Sequence, residues 1–154
     1  MRENIYRNHN CGELRLCDVN KEVKLAGWVN SIRKLGGITF LTLRDHFGVT
    51  QVIVNDEQML NGICKECTIS ISGKVVERSS KNLNMPTGEI EVVAKNIELL
   101  GKSLSVLPFE ISEGPNTKEE LRLKYRYLDL RNPQTHQTIV LRANVLNWVR
   151  NKLT

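Results

Sequence analysis

The chain has 154 residues, 40% hydrophobic and 25% charged, with 22 Lys and Arg against 17 Asp and Glu for a formal charge of +5. That suffices for one modest core with an appendage. No run approaches the roughly 20 apolar residues of a membrane helix, and MRENIYRNHN lacks the apolar centre of a secretion signal, so the reading is a cytoplasmic protein with no membrane partner.

Residues 1–20 read as an arm with a short turn or helix around Glu13–Asp18. From Val23 to Val54 three runs alternate apolar with polar residues, separated by Leu35-Gly36-Gly37 and by Asp45-His46-Phe47-Gly48. Period two between turn residues predicts an antiparallel meander with two differently dressed faces. Arg33, Phe40, Arg44 and Gln51 can share one face. A ring to stack on a base, guanidinium groups for phosphates and an amide for a base edge are what a sheet needs to hold a single strand. By pattern alone Phe40 fits the core as well as the face, because Ile38 and Leu41 are apolar.

Asp56–Cys67 breaks the alternation, and Asp56 is placed to cap a short helix carrying Met59, Leu60 and Ile63. Thr68–Glu77 alternates again, with a bulge or bend expected at Gly73. Arg78–Gly88 is a polar, turn-rich loop, and Glu89–Leu100 reads as a fifth strand. The order predicts a mainly β fold: a five-stranded OB-fold Greek-key barrel over residues 1–100, with a short helix between strands 3 and 4. Such barrels bind oligonucleotides across strands two and three, helped by the first-to-second and fourth-to-fifth loops. Here those loops are Lys34–Gly37 and Arg78–Gly88. Bare scaffolds share the architecture, because fold does not imply function.

Residues 101–132 read as a linker: Gly101–Asn116 holds Pro108 and Pro115, and a helical stretch that Thr117 and Glu120 open as a capping box follows within it. A helical C-terminal extension then starts near Pro133 or Gln134 and carries Leu141, Val145, Trp148 and Val149. No Gly or Pro closes it before Thr154, so the chain reads as a fragment of something longer, with Trp148 an association liability.

Charge adds a constraint. Residues 1–100 carry 13 Lys and Arg against 12 Asp and Glu, a net of +1, whereas residues 101–154 carry nine against five, a net of +4. A barrel that close to neutral is no generic polycation, so nucleic acid must be held by a local patch. The four cysteines, Cys11, Cys17, Cys64 and Cys67, read as free thiols. Cys64-x-x-Cys67 suits zinc or redox chemistry, but Cys11-x5-Cys17 is no standard partner for it, so no metal is expected. No paired carboxylates, Ser–His arrangement or phosphate-binding glycine loop stands out. His9, His46 and His136 receive no role.

LRLKYRYLDLRNP (Leu121–Pro133), CGELRL (Cys11–Leu16), GWVNSIRKLGGITFLTLRD (Gly27–Asp45) and TGEIEV (Thr87–Val92) together resemble the bacterial aspartyl-tRNA synthetases, class II aminoacyl-tRNA synthetases. The resemblance runs from Cys11 to the end. It implies an N-terminal anticodon-binding domain, then a hinge over 101–132. Residues 133–154 would be the truncated first helix of the catalytic domain, the start of the first class II motif. The parent would be an aspartate–tRNA ligase using ATP and magnesium and pairing as a homodimer through the helix beginning near Gln134. This stretch would lack the catalytic site and bind no cofactor itself. Its partner would be the anticodon loop of tRNA-Asp.

The resemblance also implies roles at seven positions. Phe40 matches the ring that stacks on the middle anticodon base, a uridine, and Gln51 the residue that reads it. Arg33 matches a basic residue at the same site. Glu91 matches the acid that reads the first base, a guanine, and Arg78, Asn82 and Asn84 match loop residues near the anticodon. Unaided, Glu91 reads as a solvated strand residue and Gln51 as an ordinary edge polar group. Ile32 and Lys34 stand where the family often has an arginine and an acidic residue, and Asn84–Thr87 is shorter than in many members. The competing functional class is a free-standing OB module that binds single strands without sequence preference. A third is an interaction module that binds no nucleic acid and dimerises through its last helix.

Overall fold

The structure is a computed structural model that describes residues 4–153, with the side chains of residues 113–115 left aside; residues 1–3 and 154, the ends of the predicted arm and last helix, lie outside it. The described residues fall into two compact units, one ending at Ser105 and one beginning at Val106.

The first unit is a closed barrel of five strands: β1 (Glu22–Leu35), β2 (Ile38–Arg44), β3 (Val49–Val54), β4 (Thr68–Glu77) and β5 (Ile90–Gly101), paired in the order β1-β2-β3-β5-β4 and back to β1. This is the OB-fold that the strand order predicts. The long β1 makes closure possible. Its first half pairs with β4 and its second half with β2, and the register shifts between Val29 and Ser31 where it changes partner. A bulge bends a strand in this way. Gly27 permits the close approach, since a Cβ there would lie 2.4 Å from the Arg44 carbonyl oxygen. The expected bulge at Gly73 is present as a register shift between Ser72 and Gly73, where a Cβ would meet the Val93 carbonyl oxygen at 2.3 Å. Ring closure comes from a short parallel contact in which Val52 faces Val92 and Ile53 faces Val93.

Strand alternation fills the barrel. Leu25, Val29, Leu41, Leu43, Val52, Val54, Ile69, Ile71, Val75, Ile90 and Val92 point inward and are fully enclosed with Leu14 from the arm. Each such side chain contributes about 1.5–3 kcal/mol by leaving water. β1 and β2 meet in a two-residue hairpin, with Gly36 at φ 57° and Gly37 at φ 83°. Two left-handed residues match the strand twist, and glycine adopts them without steric cost. Lys34, expected in that loop, therefore belongs to β1.

Two expectations shift in detail. The predicted helix after β3 is one 3-10 turn, Glu57–Leu60, with the Asp56 side chain accepting from the Gln58 N–H as its cap. Ile63 lies beyond it. A stretch this short gains few hydrogen bonds against the cost of helix nucleation. The arm holds a 3-10 turn at Leu16–Asp18, within the stretch expected to turn.

The second unit departs further from expectation. A 3-10 turn (Ile111–Asn116) is followed by α1 (Glu119–Lys124), α2 (Arg126–Asp129) and α3 (Pro133–Leu153). The LRLKYRYLDL stretch is thus two short helices, broken at Tyr125 (φ −111°, ψ 48°), and Lys118 rather than Thr117 occupies the N-cap of α1. Tyr125 leaves the helical region where it joins Phe109, Ile111, Leu121 and Leu128 in a small core. Asp129, fully buried, is gripped by Arg122 at 2.8 Å and by Arg126. The cap of α3 is Asn132, whose side-chain oxygen accepts from the N–H groups of Gln134 and Thr135. Pro133 takes the first helical position, where a missing N–H costs nothing. α3 exposes Leu141, Val145 and Trp148. Among the described residues no helix is long and apolar enough to cross a membrane.

Candidate nucleic-acid interface

The outer face of β1, β2, β3 and β5 is set by the register that packs the core. Arg33 stands opposite Phe40, and Phe40 opposite Ile53. One row along, Ser31 stands opposite Thr42, and Thr42 opposite Gln51. Because Val52 pairs with Val92 and both point inward, Gln51 and Glu91 point outward side by side. Phe40 is half-buried between fully enclosed Thr39 and Leu41. Of its two possible placements it takes the outer face.

The polar end of this face is a small network. Gln51 Nε2 donates to Glu91 Oε2 at 2.9 Å. The Arg78 Nε lies 4.0 Å from the same oxygen, and the Arg78 and Glu91 side chains are 13% and 10% exposed. Glu91 is therefore no solvated strand residue; it is buried beside a cation that offsets the cost of keeping a carboxylate there. Arg78 Nη1 is buried and has no hydrogen-bond partner. A buried donor without an acceptor costs about 1–3 kcal/mol. An anionic or carbonyl oxygen of a ligand would recover that cost.

The remaining capacity of the pair can be counted. With one N–H spent on Glu91, the Gln51 amide keeps a second N–H and its carbonyl oxygen, a donor and an acceptor side by side. Glu91 keeps its other oxygen as an acceptor for ring or exocyclic N–H groups. Ser31 and Thr42, hydrogen-bonded at 2.7 Å, complete the row toward β1. Thr42 was not singled out from the sequence, although its place two residues from Phe40 puts it on the same face.

The Arg78–Gly88 loop closes over this end. Arg78 N–H donates to the Glu89 carbonyl and Asn82 N–H to the Gly88 carbonyl, both at 2.9 Å. The Asn82 side-chain oxygen accepts from the Asn84 N–H at 3.0 Å, so it is spent inside the loop, while Asn84 is exposed. Thr87 Oγ1 donates to the Val49 carbonyl at 2.5 Å and pins the loop to β3. Gly88 cannot be replaced, because a Cβ would fall 1.8 Å from the Asn82 carbonyl oxygen.

Phe40, Gln51, Glu91 and Arg78 are thus placed on one face together with Arg33, which is exposed near the hairpin, while Asn82 and Asn84 lie in the loop. Arg44, expected on the face, is withdrawn from it. It is 9% exposed, donates to Glu66 Oε1 at 2.5 Å and lies 5.7 Å from the centre of the Trp28 ring. Register explains this: Arg44 pairs with Trp28 at the strand end, away from the Phe40–Gln51 rows.

Comparison with known proteins adds a family. Residues 23–100 match the tRNA anti-codon family, described as an OB-fold nucleic acid binding domain. Over 148 residues the chain is 48% identical to the aspartate–tRNA ligase of Mesoplasma florum, covering 95% of this chain and 26% of that protein. It is 44% identical over 154 residues to the aspartate–tRNA(Asp/Asn) ligase of Bartonella bacilliformis, covering 96% and 26%. The chain spans about a quarter of the length of these curated relatives. Among solved structures it is similar to asparaginyl-tRNA synthetase from Pyrococcus horikoshii, with a TM-score of 0.73 and 27% identity over 94% of this chain and 34% of that one. An aspartyl-tRNA synthetase from Entamoeba histolytica shares the fold with a TM-score of 0.80 at 19% identity, covering 93% and 36%.

Proposed function

This chain belongs to the OB-fold nucleic acid binding domain family, and we propose that it is the anticodon-reading part of an aspartate–tRNA ligase. The observation that carries the reading is the Gln51–Glu91–Arg78 network beside Phe40 on the outer barrel face. Phe40 stacks on the middle anticodon base. The free amide edge of Gln51 pairs with the carbonyl and N–H of that uridine. Glu91 accepts from the N–H groups of the first base, guanine. Arg78 offsets the carboxylate and offers its unpartnered N–H to the RNA. Arg33 and the loop residues Asn82 and Asn84 flank the backbone.

The parent enzyme would activate aspartate with ATP and magnesium and transfer it to tRNA-Asp in the cytoplasm. Residues 1–100 would recognise the anticodon, 101–132 would serve as the hinge, and 133–154 would begin the catalytic domain. Recognition contributes by holding the tRNA so that its far end reaches that domain. The exposed apolar side chains of α3 support pairing of two parents through this helix. Sedimentation of the chain and of its Trp148→Glu variant at rising concentration tests this. Pairing predicts association that the variant loses; identical monomers would refute it.

The reading itself is tested by titrating the chain with an anticodon stem-loop bearing GUC and with one whose middle uridine is replaced. A preference for GUC is expected. Phe40→Ala should weaken binding by roughly 1–3 kcal/mol, the worth of one stacked base. Gln51→Ala should erase the preference. Equal binding to both loops would instead support a single-strand module without sequence preference.

A further inference from the structure

A feature that the binding face does not use is the thiol pair before β4. Cys64, Lys65, Glu66 and Cys67 form a β-turn, closed by the Cys67 N–H donating to the Cys64 carbonyl at 3.1 Å. Glu66 takes φ 62°, the left-handed setting that the third residue of a type II turn requires. It is held there from two sides. Its N–H donates to the Val29 carbonyl at 2.7 Å, and its carboxylate accepts from Arg44 at 2.5 Å. The turn is therefore tied to the barrel, and it brings Cys64 Sγ to 3.4 Å from Cys67 Sγ. The ends of a β-turn stand less than about 7 Å apart at Cα, the range that a disulfide bridges.

The surroundings favour a reactive pair over a buried inert one. Cys67 is buried and Cys64 only partly so. Cys67 Sγ accepts from the N–H of Cys64 at 3.3 Å and of Ser103 at 3.4 Å. The Ser103 hydroxyl lies 3.2 Å from Cys64 Sγ and 3.7 Å from Cys67 Sγ. Burial pushes the Cys67 thiol up, but the N–H groups of Cys64 and Ser103, the Ser103 hydroxyl and the Cys64 thiol together outweigh it and hold the group below its ordinary value. Among the described residues no group of three or more His, Cys, Asp or Glu is placed to hold a metal.

We propose that Cys64 and Cys67 are an oxidative modification site, a dithiol that closes to an intramolecular disulfide with a small-molecule disulfide such as glutathione disulfide. The more accessible Cys64 reacts first. Its thiolate attacks one sulfur of glutathione disulfide, forms a Cys64–glutathione bond and releases one glutathione. The Cys67 thiolate then attacks Cys64 Sγ, forms the Cys64–Cys67 bond and expels the second glutathione. Two protein thiols are oxidised, one glutathione disulfide is reduced, and the two thiol protons end on the two glutathiones. The bridge replaces the sulfur acceptor of the Ser103 N–H, at the point where the chain leaves β5.

The test incubates the whole chain in glutathione buffers of defined ratio, quenches with acid, alkylates free thiols in denaturant and maps tryptic peptides by mass spectrometry. Trypsin cuts after Lys65, so a bridge joins two otherwise separate peptides. Exposed Cys17 is the internal reference for an unpaired thiol. The expected result is joint loss of Cys64 and Cys67 as one cross-linked peptide, at ratios that leave Cys17 mostly reduced. Cys67→Ser should arrest the reaction at the Cys64–glutathione adduct, raising that adduct more than tenfold. Ser103→Ala should slow bridge closure several-fold without changing the product. A wild-type Cys64–glutathione adduct that persists uncrosslinked would overturn the proposal, as would both thiols remaining alkylatable after Cys17 has reacted. The wild-type map decides this even if Cys67→Ser fails to fold.

Discussion

Arg44 and Arg78 are both cations buried beside a carboxylate, yet they do different work. Arg44 is ion-paired within the protein with Glu66 at 2.5 Å, and their side chains are 10% and 1% exposed. Removing one partner of such a pair strands a charge in a poorly solvated place. Arg44→Met should therefore lower the free energy of unfolding by about 3–5 kcal/mol in a denaturant titration. The same variant should keep its preference for a GUC loop, because Arg44 does not stand in the Phe40 and Gln51 rows. A stable Arg44→Met protein that had lost base preference would refute that division. Arg78 lies 4.0 Å from Glu91 Oε2, beside the Gln51 row, and its Nη1 is buried with no hydrogen-bond partner. Arg44 and Arg78 are both plain cations in sequence. What separates them is Glu66, a residue from another loop that no local pattern pairs with Arg44.

At the scale of elements, the arm and the β2–β3 turn hold each other. Asp45 Oδ1 accepts from the N–H groups of Phe47 at 2.8 Å and Gly48 at 3.0 Å, while Oδ2 accepts from the Cys11 N–H at 3.0 Å. Thr50 Oγ1 donates to the Cys11 carbonyl at 2.6 Å. Gly12 and Gly48 let the two backbones touch, since a Cβ on Gly48 would lie 2.6 Å from the Gly12 Cα. The crossing encloses the Cys11 thiol. Burial, and after it the neighbouring Asp45 carboxylate, pushes that thiol far above its ordinary value of 9.0. Above that pH the unfolded chain gives up the proton and the folded chain keeps it, so the unfolded state binds fewer protons and stability falls as pH rises. The stability at stake is fully present below about pH 9. Unfolding midpoints should therefore drop on going from neutral pH to pH 10, and Cys11→Val should flatten the drop. An equal drop in the variant would assign the loss to other groups.

For the whole molecule, charge separates the proposed function from its rival. A binder that relies on phosphate neutralisation loses affinity steeply with salt, whereas a barrel with a net charge of +1 over residues 1–100 has few phosphates to neutralise. The logarithm of the affinity for the GUC stem-loop should fall with the logarithm of salt at a slope of about −2, near three phosphate contacts at −0.7 each. A slope several times steeper, equal for all loops, would favour the unspecific module. Strand alternation, paired glycines at the β1–β2 turn, the Asp56 cap and the bend at Gly73 were all legible in the chain because each is a local preference. With the strand order they determined the barrel, while the outward placement of Phe40, which pattern alone left open, came with the strand register. The break at Tyr125, the capture of Arg44 by Glu66 and the burial of Glu91 between Gln51 and Arg78 were not legible. Each joins residues distant in sequence or answers a packing demand from another segment. Tyr125 yields helical geometry to a core shared with Phe109 and Ile111. Local pattern thus determined which residues form strands and, Phe40 apart, which way they face. Only the closed barrel decided which charged groups meet, because the partner of a buried charge is set by where the chain returns and not by its neighbours in sequence.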